Sequence, residues 1–370
     1  MLLLIPGPVT TRPDVRQALC RDFAPWDNDF RHFFVRLRSR ILRLAGGAEA
    51  DHACLPLQGC GHFITEAAIR TFLPSGGRIL IPATGSYADR MIRLAAEAGR
   101  VPVPLAMGPA DPTDPQAVAR ALQADPSITH VGMVHSETGS GVIHDVQAVG
   151  AVVRNAGRRM IIDAVSAFGA LPLDLSIQPE VDAAVFTTNK CLEALPGVAF
   201  AVARVDRLLA CAGNAGSWSF DLSNVYTHAL RAGWGSFRFT PPAQLLAALD
   251  VALDHHDREG QPARLARYTA NMHTLYKGVS DLGLSPYLPL ARQGPVIVNV
   301  HAPADPAWDL QAFVDALKAR DVLISNFDST PVPTFRVGCI GAITPDDMAG
   351  AVRAMHAALL DIGVTRREAA

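Results

Sequence analysis

Met160-Ile161-Ile162-Asp163 and, about one strand–helix–strand unit later, Ala183-Ala184-Val185-Phe186-Thr187-Thr188-Asn189-Lys190 are the stretches that decide the fold. Each is a short apolar run that ends on polar residues, one on an acid and the other on a lysine. Such runs, bounded by Gly, Pro or Asp, fit strands buried on both faces. Ile79-Leu80-Ile81, Val131-Gly132-Met133-Val134 and Val198-Ala199-Phe200-Ala201-Val202 read the same way. Between the runs, Tyr87 to Ala98 and Asp145 to Ala156 place apolar residues at helical spacing. This alternation predicts an α/β fold with a mainly parallel sheet, whose sites lie beyond the carboxyl ends of its strands.

The bulk numbers agree. A chain of 370 residues, 49 % hydrophobic and 18 % charged, is expected to form one large domain and a smaller one. A net charge of −2 gives no reason to expect nucleic acid or an anionic membrane as partner. Cys20, Cys54, Cys60, Cys191, Cys211 and Cys339 lie scattered and read as reduced thiols, with neither a disulfide framework nor a metal site. The apolar start, Leu2 to Ile5, is too short for a signal peptide, and no apolar stretch approaches the roughly 20 residues that span a bilayer. A cytoplasmic enzyme is the expectation.

Beyond about residue 255 the pattern changes. Val296 to Val300 reads as a strand, Asp309 to Arg320 as a helix, and Val322-Leu323-Ile324 and Thr334-Phe335-Arg336-Val337 as two further short strands. Thr344-Pro345-Asp346-Asp347 opens a last helix, with Thr344 as cap and Asp347 as its capping-box partner. The polar stretch Asp254 to Arg267 is a candidate connector or long helix. We expect a large domain over 15–255, and a smaller α+β domain over 256–370 joined by the N-terminal segment 1–14.

Taken singly, Asp163 reads as a strand-end or helix-capping acid and Lys190 as a solvated lysine. Together, on neighbouring strands at one edge, they are what a pyridoxal 5'-phosphate (PLP) enzyme needs. A lysine amine forms a Schiff base with the cofactor aldehyde, while an acid keeps the pyridine nitrogen protonated. Lysine suits that task because burial beside another cation frees its amine. Leu57-Gln58-Gly59-Cys60-Gly61-His62-Phe63 reads as a turn opening a helix, whose exposed amides favour a phosphate.

With these motifs in place, the chain resembles the class V group of fold-type I PLP aminotransferases, especially its 2-aminoethylphosphonate–pyruvate branch. The resemblance runs from Leu4-Ile5-Pro6-Gly7-Pro8-Val9-Thr10-Thr11 through Trp26-Asp27-Asn28-Asp29, the Gly59 turn and Met133 to Thr138. It continues through Asp163 to Gly169, Asn189-Lys190-Cys191, Phe237 to Pro242 and Phe335 to Gly341. It implies a large domain with a mainly parallel seven-stranded sheet and a smaller C-terminal α+β domain. Residue by residue, Gly61, His62 and Phe63 match the phosphate turn, Tyr87 the ring-stacking aromatic, Thr138 the hydroxyl near the ring oxygen, and Val165 the opposite ring face. Arg238 and Thr240 match a segment that reaches the partner subunit's cofactor phosphate, so a homodimer with shared sites is implied. Arg336 matches the arginine that grips a keto-acid carboxylate, with Pro8 and Thr10 also at the substrate.

Lys190 is then expected to be the catalytic base of a transamination from 2-aminoethylphosphonate to pyruvate, giving phosphonoacetaldehyde and alanine. His62 and the segment Ile324 to Asp328 depart from that branch. They leave an alanine– or serine–glyoxylate aminotransferase, or a PLP lyase acting on a related aminophosphonate, as alternatives. His135 is expected to be a hydrogen-bonding strand-end residue, and Cys60 and Cys191 small packing residues. No metal is expected.

Overall fold

The structure, a computed structural model, describes residues 1–328 and 330–369. Its strands run in chain order as β1 (Leu2–Leu3), β2 (His52–Gly59), β3 (Arg78–Ala83), β4 (Val101–Ala106), β5 (Ile128–Val134) and β6 (Arg159–Asp163). β7 (Val181–Thr187), β8 (Gly197–Arg204), β9 (Ile297–His301), β10 (Val322–Leu323) and β11 (Thr334–Gly338) follow. One seven-stranded sheet has the order β2-β8-β7-β6-β5-β3-β4. From β4 to β7 every pairing is parallel, and only β8 runs antiparallel, to both β7 and β2. The mainly parallel sheet expected from the alternation is therefore present.

Pleating sorts the apolar runs onto two faces, because successive side chains in a strand point opposite ways. Ile162, Phe186, Phe200 and Val202 join one apolar cluster with Phe34 and Val131. Their chain neighbours Ile161, Val185, Ala199 and Ala201 join another with Ile64 and Ile81. Every residue of β7 is buried, so its apolar residues do not alternate with exposed polar ones; the one charge it buries, Asp182, is paired with Arg159 at 2.6 Å and Arg207 at 3.0 Å.

A further cluster gathers Leu4, Leu275, Val298, Phe313, Phe335, Val337 and Met355 around the antiparallel pair β9–β11. β1 pairs with β10, so the N-terminal segment threads into this lobe. The last helix, Pro345–Asp361, starts with the Thr344–Asp347 capping box read from the sequence. The polar stretch Asp254 to Arg267 is neither connector nor one long helix. It holds a sharp break between helices Ala243–Glu259 and Gln261–Asp281 at Gly260, whose φ is 78°. A left-handed glycine ends the first helix and Pro262 suits the first turn of the second. Among the described residues, no helix is long and apolar enough to cross a membrane.

Candidate active site

Val134, Asp163 and Val185 sit in register at the carboxyl edge of β5, β6 and β7. The turns that follow these strands converge there. The His135 amide donates to the Asp163 carbonyl and the Ala164 amide to the Val185 carbonyl, each at 2.8 Å. Lys190, beyond β7, is buried and makes no side-chain hydrogen bond or ion pair with any described residue. Burial, and then the nearby Arg336 charge, push its ammonium down to about 8, against the opposing pull of Cys191 and Asp163. Asp163 is also buried, and burial raises it to about 6, opposed by the Val165 amide and by Lys190. One of its oxygens accepts from the Val165 amide at 3.0 Å.

Asp163 and Val165 line a cavity with Gly61, His62, Thr65, Tyr87 and Arg90. Helix Gly61–Phe72 enters this cavity with no side chain capping its first turn, so its leading amides are open to an anion. Close approach requires the glycine: a Cβ on Gly61 would come to 3.1 Å from a Val165 methyl. His62 is pushed below its ordinary value by burial and then by the Arg90 charge, which keeps its imidazole neutral. The guanidinium of Arg90 lies 4.7 Å from the Tyr87 ring centroid.

The helix that carries Tyr87, Ser86–Glu97, has a different start. Fully buried Glu137 caps it, accepting from the amides of Tyr87 and Ala88 at 3.3 Å each and from that of Gly139 at 2.9 Å. Burial raises this carboxyl to about 7 although all three amides pull it down. No role was assigned to Glu137 from the sequence; the available signal was an acid directly after an apolar strand. Thr138 shares a hydrogen bond with the Ser166 hydroxyl. Its carbonyl accepts from Nη1 of Arg336 at 2.9 Å. Arg336 is buried, with its ordinary value lowered first by burial. Its Nε has no partner among the described residues, so the fork keeps a donor to offer. Phe327 covers the guanidinium at 5.0 Å.

Other expected site residues lie elsewhere. Phe63 packs on Phe220 at 5.6 Å in a separate groove, away from the Asp163 cavity. Arg238 is engaged within its own chain: it donates to the carbonyls of Trp218 at 2.8 Å and Ser219 at 2.6 Å, and to the Asn224 side chain at 2.8 Å. Thr240 is exposed and lines the groove that holds Phe63. Thr10 accepts on its hydroxyl from the Leu3 amide at 2.8 Å, and Pro8 is exposed. The preceding Gly7, at φ 150°, packs on Lys190 so closely that a Cβ there would lie 2.6 Å from Cδ. His135 hydrogen-bonds at the strand end through its backbone, its carbonyl accepting from the His144 amide at 3.0 Å; its ring Nδ1 is buried with no partner among the described residues, and burial pushes the imidazole down to about 4. Cys191 is buried, donating its thiol to the Ser166 carbonyl, while Cys60 is exposed.

Residues 28–319 match the family described as aminotransferase class-V. A 2-aminoethylphosphonate–pyruvate transaminase of Burkholderia ambifaria is 41 % identical over 364 residues, covering 98 % of this chain and 96 % of the relative. A 2-aminoethylphosphonate–pyruvate transaminase 1 of Polaromonas sp. is 40 % identical, over 98 % of this chain and 97 % of its own length. Among solved structures, pyridoxamine–pyruvate aminotransferase from Mesorhizobium loti superposes with a TM-score of 0.89 at 27 % identity, covering 99 % of this chain and 93 % of that one. Alanine–glyoxylate aminotransferase from Nostoc sp. shares the fold, with a TM-score of 0.87 at 23 % identity over 97 % of this chain and 95 % of that one.

Proposed function

This chain belongs to the class-V aminotransferase family, and on that premise we propose that it moves the amino group of 2-aminoethylphosphonate to pyruvate, giving phosphonoacetaldehyde and alanine. The substrate pair is supported by relatives of that name at 40 % to 41 % identity over nearly the whole chain. Pyridoxal 5'-phosphate is the proposed cofactor. Its fit is supported by the uncapped helix at Gly61, by the glycine cradle against Val165, and by a buried lysine without a partner facing a buried acid. When bound, the cofactor supplies an electron sink for the substrate carbon and carries the amino group between the two substrates.

The chain's own groups have separable tasks in this reading. Lys190, with its ammonium brought down to about 8, loses and regains a proton near neutral pH and so suits a base acting at the substrate carbon. Asp163 faces the position of a protonated ring nitrogen, whose positive charge would return its carboxyl to the ionised form. Tyr87 and Val165, which line the same cavity as Asp163, would hold the ring between them. Arg336 offers its open donor to the keto-acid carboxylate, where a planar fork is worth more than a point charge. Phe327 over that guanidinium keeps water from it.

The observation that carries the reading is Lys190, buried and unpaired beside Asp163 at the same sheet edge. We further propose a homodimer, supported by the exposed pair Trp218 and Phe239 in edge contact at 5.0 Å beside Arg238 and Thr240. A cytoplasmic setting is consistent with cysteines that are all free. The decisive experiment presents a panel of primary amines and follows the visible absorbance of the loaded protein, with pyruvate or glyoxylate added afterwards. The expected result is a spectral change with 2-aminoethylphosphonate that pyruvate reverses. Reversal by glyoxylate alone would make it a glyoxylate aminotransferase, and turnover without any keto acid would make it a lyase.

A further inference from the structure

Glu193, three residues beyond Lys190, has no place in the chemistry above, yet its setting is unusual. It holds a left-handed φ of 57° although it is not glycine, and its side chain is buried. A backbone conformation of this kind costs of order 1–3 kcal/mol and persists only where its surroundings enforce it. The Glu193 amide donates to the Lys190 carbonyl at 2.9 Å, closing the turn that carries the lysine. Its carboxylate accepts from the Tyr268 hydroxyl and from Nη2 of Arg267, each at 2.6 Å.

Arg267 does not stop there. Its Nη1 donates to the carbonyls of Gly341 at 2.7 Å and Ile343 at 2.9 Å, in the turn that follows β11, the strand of Arg336. Glu259 accepts from its Nε at 2.7 Å and so holds the guanidinium plane. One residue of helix Gln261–Asp281 therefore ties the turn of Lys190 to the turn behind Arg336. The same helix secures each end a second time: Arg264 donates to the Cys191 carbonyl at 2.8 Å, and Asn271 to the Cys339 carbonyl at 3.0 Å.

We propose that Glu193 and Arg267 form a strut that sets the separation between Lys190 and Arg336, making both of them positioning residues for the keto-acid half of the reaction. The inference rests on the aminotransferase reading given above. A keto acid as small as pyruvate must place its carboxylate on the arginine and its carbonyl carbon at the lysine simultaneously. Misplacement by about 1 Å is enough to lose on the order of a hundredfold in rate. The phosphonate of the proposed amino donor stands one carbon and one rotatable bond farther from the reacting carbon than a keto acid's carboxylate does, so the amine half-reaction tolerates a wider range of separations.

The test separates the two half-reactions in single-turnover experiments on the loaded protein, using wild type, Arg267→Met and Arg267→Lys. Cofactor affinity and the melting temperature are measured on the cofactor-free forms. Arg267→Met should lower kcat/KM for pyruvate about 30-fold, mainly through KM, while the amine half-reaction and cofactor affinity stay within about threefold. Arg267→Lys keeps the charge but not the fork and should fall between. If Arg267→Met does not fold, the lysine variant decides, with a several-fold rise in the pyruvate KM expected. Equal losses in both half-reactions, or a lower melting temperature with an unchanged ratio between them, would overturn the strut. Failure of the aminotransferase reading looks different: wild type itself would be inert to every keto acid, and the strut would fall with it.

Discussion

A carboxyl held at about 7 by burial, as Glu137 is, costs the fold more as the pH rises. Its folded value lies above the 4.5 of a free glutamate. Between the two, the folded chain keeps a proton that the unfolded chain has released, so stability falls as pH rises through that window. The buried His135 and His144, both pushed down to about 4, have the opposite slope. A difference between variant and wild type cancels them. The unfolding free energy of Glu137→Gln minus that of wild type, taken from denaturant titrations of cofactor-free protein, should climb between about pH 4.5 and 7 and level off above. The full excursion should be on the order of 3 kcal/mol. A pH-independent difference would show that the carboxyl ionises freely in the folded state.

At the scale of elements, the site depends on how segments end. Two helices point their first turns at it: Gly61–Phe72 is left uncapped, while Ser86–Glu97 is closed by Glu137. The first therefore has free amides to offer an anion, while the leading amides of the second are already taken by Glu137. The N-terminal segment acts by contact. Gly7→Ala would drive a Cβ to within 2.6 Å and 2.8 Å of Lys190 Cδ and Cε, so kcat should fall at least about 100-fold. Gly213→Ala is the control: it too has a positive φ, of 92°, but opens on empty space. It should cost of order 1–2 kcal/mol of stability and leave kcat intact. Equal kcat values for the two variants would remove the contact with Lys190 from the account.

At the scale of the molecule, apolar surface is left uncovered around a candidate shared site. Trp218 is 69 % exposed and Phe239 52 % exposed, and Phe239 takes a φ of 71° to reach its position. Arg238, bound to carbonyls of its own chain, braces this loop. Sedimentation should therefore give a dimer. Trp218→Glu should shift it toward monomer and weaken cofactor affinity about tenfold, because large aromatics dominate such contacts. A wild-type monomer that binds the cofactor tightly would end the shared-site proposal.

The sequence by itself determined five of the seven strands of the large sheet, missing β2 and β4, together with the carboxyl-edge location of Asp163 and Lys190, the glycine turn at Gly61 and the capped last helix. These follow from local periodicity and from residues whose chemistry is specific at short range. Only the tertiary structure decided what those residues touch. Glu137 capping the helix of Tyr87, Gly7 lying on Lys190, Arg238 turned into its own loop and Arg267 linking two distant turns all join residues far apart in the chain. Nothing in local pattern encodes such pairs. They arise when packing the two lobes buries polar groups that must then find partners, and the spacing between Lys190 and Arg336 is set at that step.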